Sequence, residues 1–189
     1  MLKKELREQL RRALQVIEPA ALHDRSAQAC DLLCRQREFQ RAEIIMVFLS
    51  MPGEVDTTPL VLQAWEASKR VLAPKISWEQ RRLLPIEIRS LTDDVSRSPL
   101  GMREPAKGVP IPVADIDLVV VPGLGFDAHG NRLGRGRGFY DRFLGHRDFR
   151  GTACGIALAE QVVEAIPVGP HDRPVHLLAT DERVLRFTS

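Results

Sequence analysis

The chain has 189 residues and a formal net charge of +2, with 44% hydrophobic and 28% charged residues. That is enough chain for one domain with a substantial core, in the balance of an ordinary globular protein. So small a positive excess excludes a chain built as a whole to coat nucleic acid or an anionic membrane, and leaves any basic function to a local cluster.

The opening MLKKELREQLRRAL is charged throughout and lacks the apolar run of a signal peptide. Leu2, Leu6, Leu10 and Leu14 recur every four residues, which predicts an amphipathic helix with a mostly basic outer face. Pro19 suits the first turn of a second helix, in which Leu22, Cys30, Leu33 and Cys34 share one side as far as about Gln40. EIIMVFLS (43–50) is a continuous, partly β-branched apolar run of strand length, of the kind buried on both faces of a parallel sheet and far too short to span a membrane.

Thr57 and Pro59 start a further helix through LVLQAWEASK. RVLAP (70–74) and LLPIEI (83–88) read as strands, the second weakened by Pro85. Arg89 to Ala114 is polar, proline-punctuated and mostly loop. DLVVVP (117–122) and CGIAL (154–158) are further buried strands, the latter followed by a short helix from about Ala159 to Ala165. VHLLAT (175–180) and ERVLRF (182–187) fit strands at a sheet edge. With no repeat or linker, residues 1–189 read as a single α/β domain with a mostly parallel sheet covered on both faces. Cys30, Cys34 and Cys154 are odd in number and lack zinc-like spacing, so they read as buried free thiols in a reducing cytoplasm.

The stretch that carries chemistry is GNRLGRGRGFYDRFL (130–144). Gly130, Gly134, Gly136 and Gly138 leave backbone N–H groups unshielded and permit positive φ, as a phosphate cradle requires. Arg132, Arg135 and Arg137 supply guanidiniums that grip phosphate oxygens and stay charged. FYDRFL then opens a helix whose N-terminus faces the same anion. The loop also follows a strong strand, and ligands of open α/β sheets sit beyond the carboxyl ends of strands.

A solvated basic loop would have the same composition. An RGG-type nucleic-acid segment would be repeated and disordered, and this one occurs once. Gly123, Gly125 and Ala128 spell G-x-G-x-x-A after a strand, but further glycines follow where a dinucleotide fingerprint opens a helix, and there is no Walker A Gly-Lys-Ser/Thr. The pattern alone supports a phosphate site and leaves the ligand open.

The longer string DLVVVPGLGFDAHGNRLGRGRGFYDRFL resembles the signature of the 5-formyltetrahydrofolate cyclo-ligases, or 5,10-methenyltetrahydrofolate synthetases. KKELR (3–7), FLSMPGEVDT (48–57) and IPVGPHDRPVHLLATDE (166–182) resemble the same family in the same order, nearly end to end. The resemblance implies a three-layer α/β/α sandwich and an ATP-dependent ring closure. ATP phosphorylates the formyl oxygen of 5-formyltetrahydrofolate, the neighbouring nitrogen attacks, and 5,10-methenyltetrahydrofolate, ADP and phosphate leave.

It places Lys3, Lys4, Arg7 and the run Arg132, Leu133, Gly134, Arg135, Gly136, Arg137, Gly138, Phe139 and Tyr140 on ATP, with Arg132, Arg135 and Arg137 catalytic. Leu49, Met51 and Glu54 hold the pterin, Arg135 to Phe139 also face the formyl end, and Asp141 and Asp172 are associated with Mg²⁺. The implied partners are small molecules alone, with no nucleic acid, no membrane and a monomeric chain.

Each residue type suits its task. Phosphoryl transfer depends on positioning and charge neutralisation. Mg²⁺ takes one or two carboxylates plus phosphate oxygens. A carboxylate such as Glu54 matches the amide and amino edge of a pterin, while apolar walls suit its faces. Without the resemblance, Lys3 and Arg7 read as the solvated face of a helix, Glu54 and Asp172 as turn carboxylates, and Asp141 as support for its own helix.

Three positions depart from the family pattern: Phe139 stands where Tyr is common, Arg137 where Lys or Gly is common, and His176 where Asp is frequent, which removes that position as a metal ligand. His129 and His146 have no visible partner. A related enzyme for another formylated or amide substrate, or a nucleotide-binding regulator without turnover, are the competing readings; Glu54, Asp141 and Asp172 together favour the enzyme.

Overall fold

A computed structural model describes residues 2–98 and 101–187. Helix α1 (Lys3–Gln15) starts where the Leu2 N–H donates to the Glu5 carboxylate at 2.8 Å, and it buries Leu6 and Leu10 of the leucine stripe. Helix α2 (Pro19–Cys34) has its proline in the first turn, where a missing N–H costs nothing. It ends at Cys34 rather than near Gln40, and a separate short helix α3 (Arg37–Arg41) follows so that Phe39 can turn into the core. After β1 (Ile44–Val47), the Asp56 carboxylate receives the Thr58 N–H at 2.9 Å and opens α4 (Thr58–Glu66).

The chain then makes the antiparallel pair β2 (Arg70–Ser77) and β3 (Arg82–Glu87). Pro85 is tolerated because β3 is the last strand of the sheet. The segment expected to be mostly loop contains a second hairpin, β4 (Val95–Arg97) with β5 (Arg103–Pro105), although residues 99 and 100 lie outside the described residues. The period-2 signal there is too short to read against the surrounding prolines.

Strand β6 (Leu118–Val121) leads into β7 (Gly125–Asp127) and β8 (Arg132–Leu133), and the glycine loop delivers the chain to α5 (Phe139–Leu144). Strand β9 (Thr152–Ile156) follows. The helix expected from Ala159 to Ala165 is instead one 3₁₀ turn (Ala159–Gln161) and strand β10 (Val162–Val163). Gln161 folds back, accepting the Leu158 N–H at 2.8 Å and donating to the Gly123 carbonyl at 2.8 Å, which stops the turn and frees the β-branched pair to join β7. Strands β11 (Leu177–Ala179) and β12 (Val184–Arg186) close the chain as an antiparallel edge.

The main sheet runs β12-β11-β9-β6-β1-β2-β3. The five strands from β11 to β2 are parallel, with an antiparallel strand at each edge. Alternation along buried strands explains their unbroken apolar runs. Ile45, Val47, Leu118 and Val120 face α2 and α4, whereas Met46, Val119 and Val121 face Phe126 and Phe143 on the other side. That second layer is thin: α5 has only six residues. A third cluster joins Leu6 and Leu10 of α1 to Leu124 and Leu133, beside the small sheet β10-β7-β8. All three cysteines are buried and unbridged, and burial pushes the Cys30 and Cys34 thiols up to about 12.

Sheet order sets the location of the site. From β1 the chain adds β2 on one side and then β6, β9 and β11 on the other. Such a reversal opens a crevice beyond the carboxyl ends of the two strands that flank it, here β1 and β6.

Candidate active site

A cavity of about 410 Å³ lies at that crevice, lined by Phe48 and Leu49 just past β1 and by Pro122 and Gly123 just past β6. Every residue that the resemblance assigns to ATP, folate or Mg²⁺ lines it except Lys4, which is exposed on α1 outside it.

The glycine-arginine segment forms one wall. Its first part is β-hairpin: Asp127, 1% exposed, accepts the backbone N–H groups of His129, Asn131 and Ile166 and the Asn131 side-chain amide. That fully satisfied carboxylate braces the turn from which the loop departs. Beyond Gly134, no backbone N–H from Arg135 to Gly138 donates to a backbone acceptor among the described residues. Gly136 (φ +99°) and Gly138 (φ +65°) hold the loop in the left-handed region. At six residues, α5 adds little dipole of its own.

The side chains are pre-paired across the cavity. Lys3 is ion-paired with Asp172, whose Oδ2 also accepts the Gly169 N–H at 2.6 Å. Burial raises the Asp172 carboxyl, but the Lys3 hydrogen bond, the Gly169 N–H and the charges of Lys3 and Arg132 together hold it below the usual range. Arg7 Nε donates to the Gly134 carbonyl at 2.9 Å, tying α1 to the loop. Arg135 reaches Glu54, which also accepts the Met51 N–H at 2.9 Å. Arg132 reaches Asp141.

Much of the remaining lining is apolar. Leu49, Met51, Ile76, Leu83, Met102 and Phe139 contribute to it. Trp78 sits edge-on to Phe139 with ring centroids 5.4 Å apart, and Arg137 lies 5.0 Å over the Trp78 ring. Arg142 crosses 5.2 Å above Phe139 and donates to the carbonyls of Arg81 (2.7 Å) and Arg137 (2.9 Å). Burial pushes the Tyr140 phenol above its ordinary range, so it stays neutral. Trp78 and Arg142 carry no spacing signal: one sits near a hairpin turn and the other inside a short helix, and only the folded chain brings Trp78 to the cavity and Arg142 onto the Phe139 ring that lines it.

Backbone amides without backbone partners, guanidiniums, paired carboxylates and an apolar slot in one crevice of an α/β fold suit a phosphorylated ligand beside a flat, partly apolar one. The chain matches the 5-formyltetrahydrofolate cyclo-ligase family over residues 1–181. It is 31% identical to 5-formyltetrahydrofolate cyclo-ligase of Escherichia coli K12 over 179 residues, covering 93% of this chain and 98% of that protein. The mouse enzyme of the same name is 27% identical, covering 92% of this chain and 90% of that one. Among solved structures, the 5,10-methenyltetrahydrofolate synthetase of Aquifex aeolicus superposes with a TM-score of 0.86 at 30% identity, covering 100% of this chain and 94% of that one. The Mycoplasma pneumoniae synthetase shares the fold, with a TM-score of 0.77 at 19% identity over 96% of this chain and 99% of that one.

The chain belongs to the 5-formyltetrahydrofolate cyclo-ligase family. It is a ligase of folate one-carbon chemistry whose reaction is the ATP-dependent closure of 5-formyltetrahydrofolate to 5,10-methenyltetrahydrofolate.

Proposed function

We propose that the cavity performs this closure through a phosphorylated formyl group, with the loop 134–138 as the phosphate cradle and the apolar slot as the pterin site. The formyl oxygen attacks the γ-phosphorus of ATP and ADP leaves. The neighbouring folate nitrogen then attacks the activated carbon, loses its proton, and phosphate departs from that carbon. The free N–H groups of Arg135 to Gly138, with Arg135, Arg137, Arg7 and Lys3, neutralise the migrating phosphoryl group. Glu54 takes the polar edge of the pterin, with Leu49, Met51 and Phe139 against its faces.

Asp141 and Asp172 fit Mg²⁺ brought by the nucleotide. Among the described residues no cluster of three or more metal-ligating side chains exists, and two carboxylates are the complement such an ion takes when phosphate supplies the rest. Each anchors one oxygen through protein donors, Asp141 Oδ1 to Arg132 and the Arg173 N–H and Asp172 Oδ2 to Lys3 and the Gly169 N–H, leaving the other without a donor among the described residues. Bound there, Mg²⁺ would screen the phosphate charge.

The accompanying reading is a monomeric enzyme in a single domain acting on small molecules. Buried unbridged thiols fit a reducing cytoplasm, and among the described residues no helix is long and apolar enough to cross a membrane.

The observation that carries the reading is the run of loop amides without backbone partners lining one crevice together with Glu54. Mixing the protein with Mg-ATP and 5-formyltetrahydrofolate, and following the near-ultraviolet absorbance of the methenyl product against ADP release, tests it. One ADP per product is expected; product without ADP would refute the phosphorylated intermediate.

A further inference from the structure

We propose that Arg132 is a positioning residue that presets Asp141, rather than a third arginine gripping phosphate. The inference rests on the reading of Asp141 as a carboxylate for nucleotide-borne Mg²⁺.

The three arginines of the segment are not equivalent. The Arg132 side chain is 4% exposed, against 46% for Arg135. Its guanidinium is used on two sides: Nη1 donates to the Pro122 carbonyl at 3.2 Å, where the chain leaves β6, and Nη2 donates to Asp141 Oδ1 at 3.0 Å, in the first turn of α5. Its face lies 5.6 Å over the Tyr140 ring. The remaining donor, Nε, is enclosed and has no partner among the described residues.

Gly134 completes the box. A Cβ there would stand 2.7 Å from Arg132 Nη1, and one at Gly123 would stand 3.3 Å from Arg132 Cγ. Gly134 therefore leaves room for a buried arginine as well as for a ligand, while Gly123 chiefly clears the Phe126 ring, 2.6 Å from its would-be Cβ. A charge enclosed this way is tolerated only when paired and hydrogen-bonded, and its partner is Asp141. With Oδ1 held by Arg132 and by the Arg173 N–H at 3.2 Å, the carboxylate is oriented so that Oδ2 has no donor among the described residues. Partners that orient a ligating carboxylate in this way typically govern metal affinity.

The test is calorimetry of ADP binding with Mg²⁺ and again in EDTA, on the wild-type protein, Arg132→Met, Asp141→Asn and the double variant. Arg132→Met and Asp141→Asn should each weaken Mg-ADP binding by about 10–100-fold, leave metal-free ADP binding unchanged, and combine to no more than Asp141→Asn alone. If Arg132→Met does not fold, Arg132→Lys, which keeps the charge but cannot span both acceptors, should show the same Mg²⁺-specific loss. Equal losses with and without Mg²⁺ would make Arg132 a direct phosphate contact, and additive losses would separate it from Asp141; either overturns the proposal alone. Wild-type Mg-ADP affinity in Asp141→Asn would overturn the reading of Asp141 and this inference with it.

Discussion

Arg135 reaches across the cavity and donates through both Nε (3.0 Å) and Nη2 (2.7 Å) to one oxygen, Oε1, of Glu54. On the proposed reading the two residues serve opposite subsites, so the pair closes each against the other. An arginine turned toward phosphate cannot hold Glu54, and a pterin on Glu54 cannot be bound while Arg135 remains. Nucleotide and folate should therefore bind cooperatively. The Arg135 side chain is 46% exposed, which limits the pair to the roughly 0.2–1 kcal/mol of solvated ion pairs, or about 1.4–5-fold in affinity. Calorimetry with a non-hydrolysable ATP analogue should show folate binding tightened by that factor, and by linkage the same factor in the reverse order. Independent binding in both orders would show that the pair does not couple the subsites.

Arg135→Ala should lower turnover by about 10²–10³-fold, the usual effect of removing one preorganised donor to a developing charge. The melting temperature should barely move, because the side chain is half exposed and packs into no core cluster. Unchanged turnover would remove Arg135 from the mechanism.

Glu54→Gln separates the subsites from the other side. Its Oε2 accepts the Met51 N–H at 2.9 Å, so an amide can keep that turn with its oxygen while presenting a donor to the pterin edge. The KM for 5-formyltetrahydrofolate should rise, while that for ATP should hold or fall slightly, by no more than the coupling factor, as Arg135 is released. Equal losses in steady-state titrations of the two substrates would mean that Glu54 shapes the whole site.

Much of this was legible before folding because the sheet is simple. The buried strands at Ile44–Val47 and Leu118–Val121 announce themselves as unbroken apolar runs, and the leucine stripe of α1 survives as Leu6 and Leu10 in the core. The site residues were legible mainly through the family string; local physics alone reached only a phosphate loop. What stayed hidden depends on partners distant in sequence. Gln161 ends a helical pattern by bonding Gly123, and Trp78 meets Phe139 only after β3 has paired with β2. The segment GNRLGRGRG looks uniform, yet Arg132 is buried while Arg135 and Arg137 are exposed, a difference set by Asp141 and Pro122 rather than by spacing.

The glycines of the same string should also divide by role. A Cβ at Gly130 would stand 2.6 Å from the Val175 carbonyl and 2.8 Å from the Phe187 ring, at φ +79°. Gly130→Ala should cost about 2–4 kcal/mol from overpacking and left-handed backbone together. At Gly136 the nearest atom is the Arg7 guanidinium at 3.5 Å, an ordinary contact, so only the strain of φ +99° remains, about 1–2 kcal/mol. Thermal melts should show a clearly larger drop for Gly130→Ala, whereas Gly136→Ala should raise the KM for ATP. A reversed order would place the structural glycine in the cradle.

Acid stability should depend on a cluster remote from the cavity. Arg25 joins α2 to the segments after β9 and β11, with Nη1 2.7 Å and Nη2 2.6 Å from Glu160 and Nε 2.5 Å from Asp181, while Asp181 Oδ1 accepts the Ala159 N–H at 2.8 Å. The Arg25 hydrogen bonds hold the Glu160 carboxyl below the usual range against a smaller opposing effect of burial. A carboxyl depressed in the folded state contributes stability above its unfolded pKa, about 4.3 for Glu, and loses it as pH falls through the lower folded value. Arg25→Met should therefore be less stable than the wild type at neutral pH. Its urea-unfolding free energy should fall less steeply from about pH 5 to pH 3, and the two curves should converge on the acid side. Parallel curves across that range would mean that Arg25 stabilises through the packing of its aliphatic stem rather than through the carboxylates.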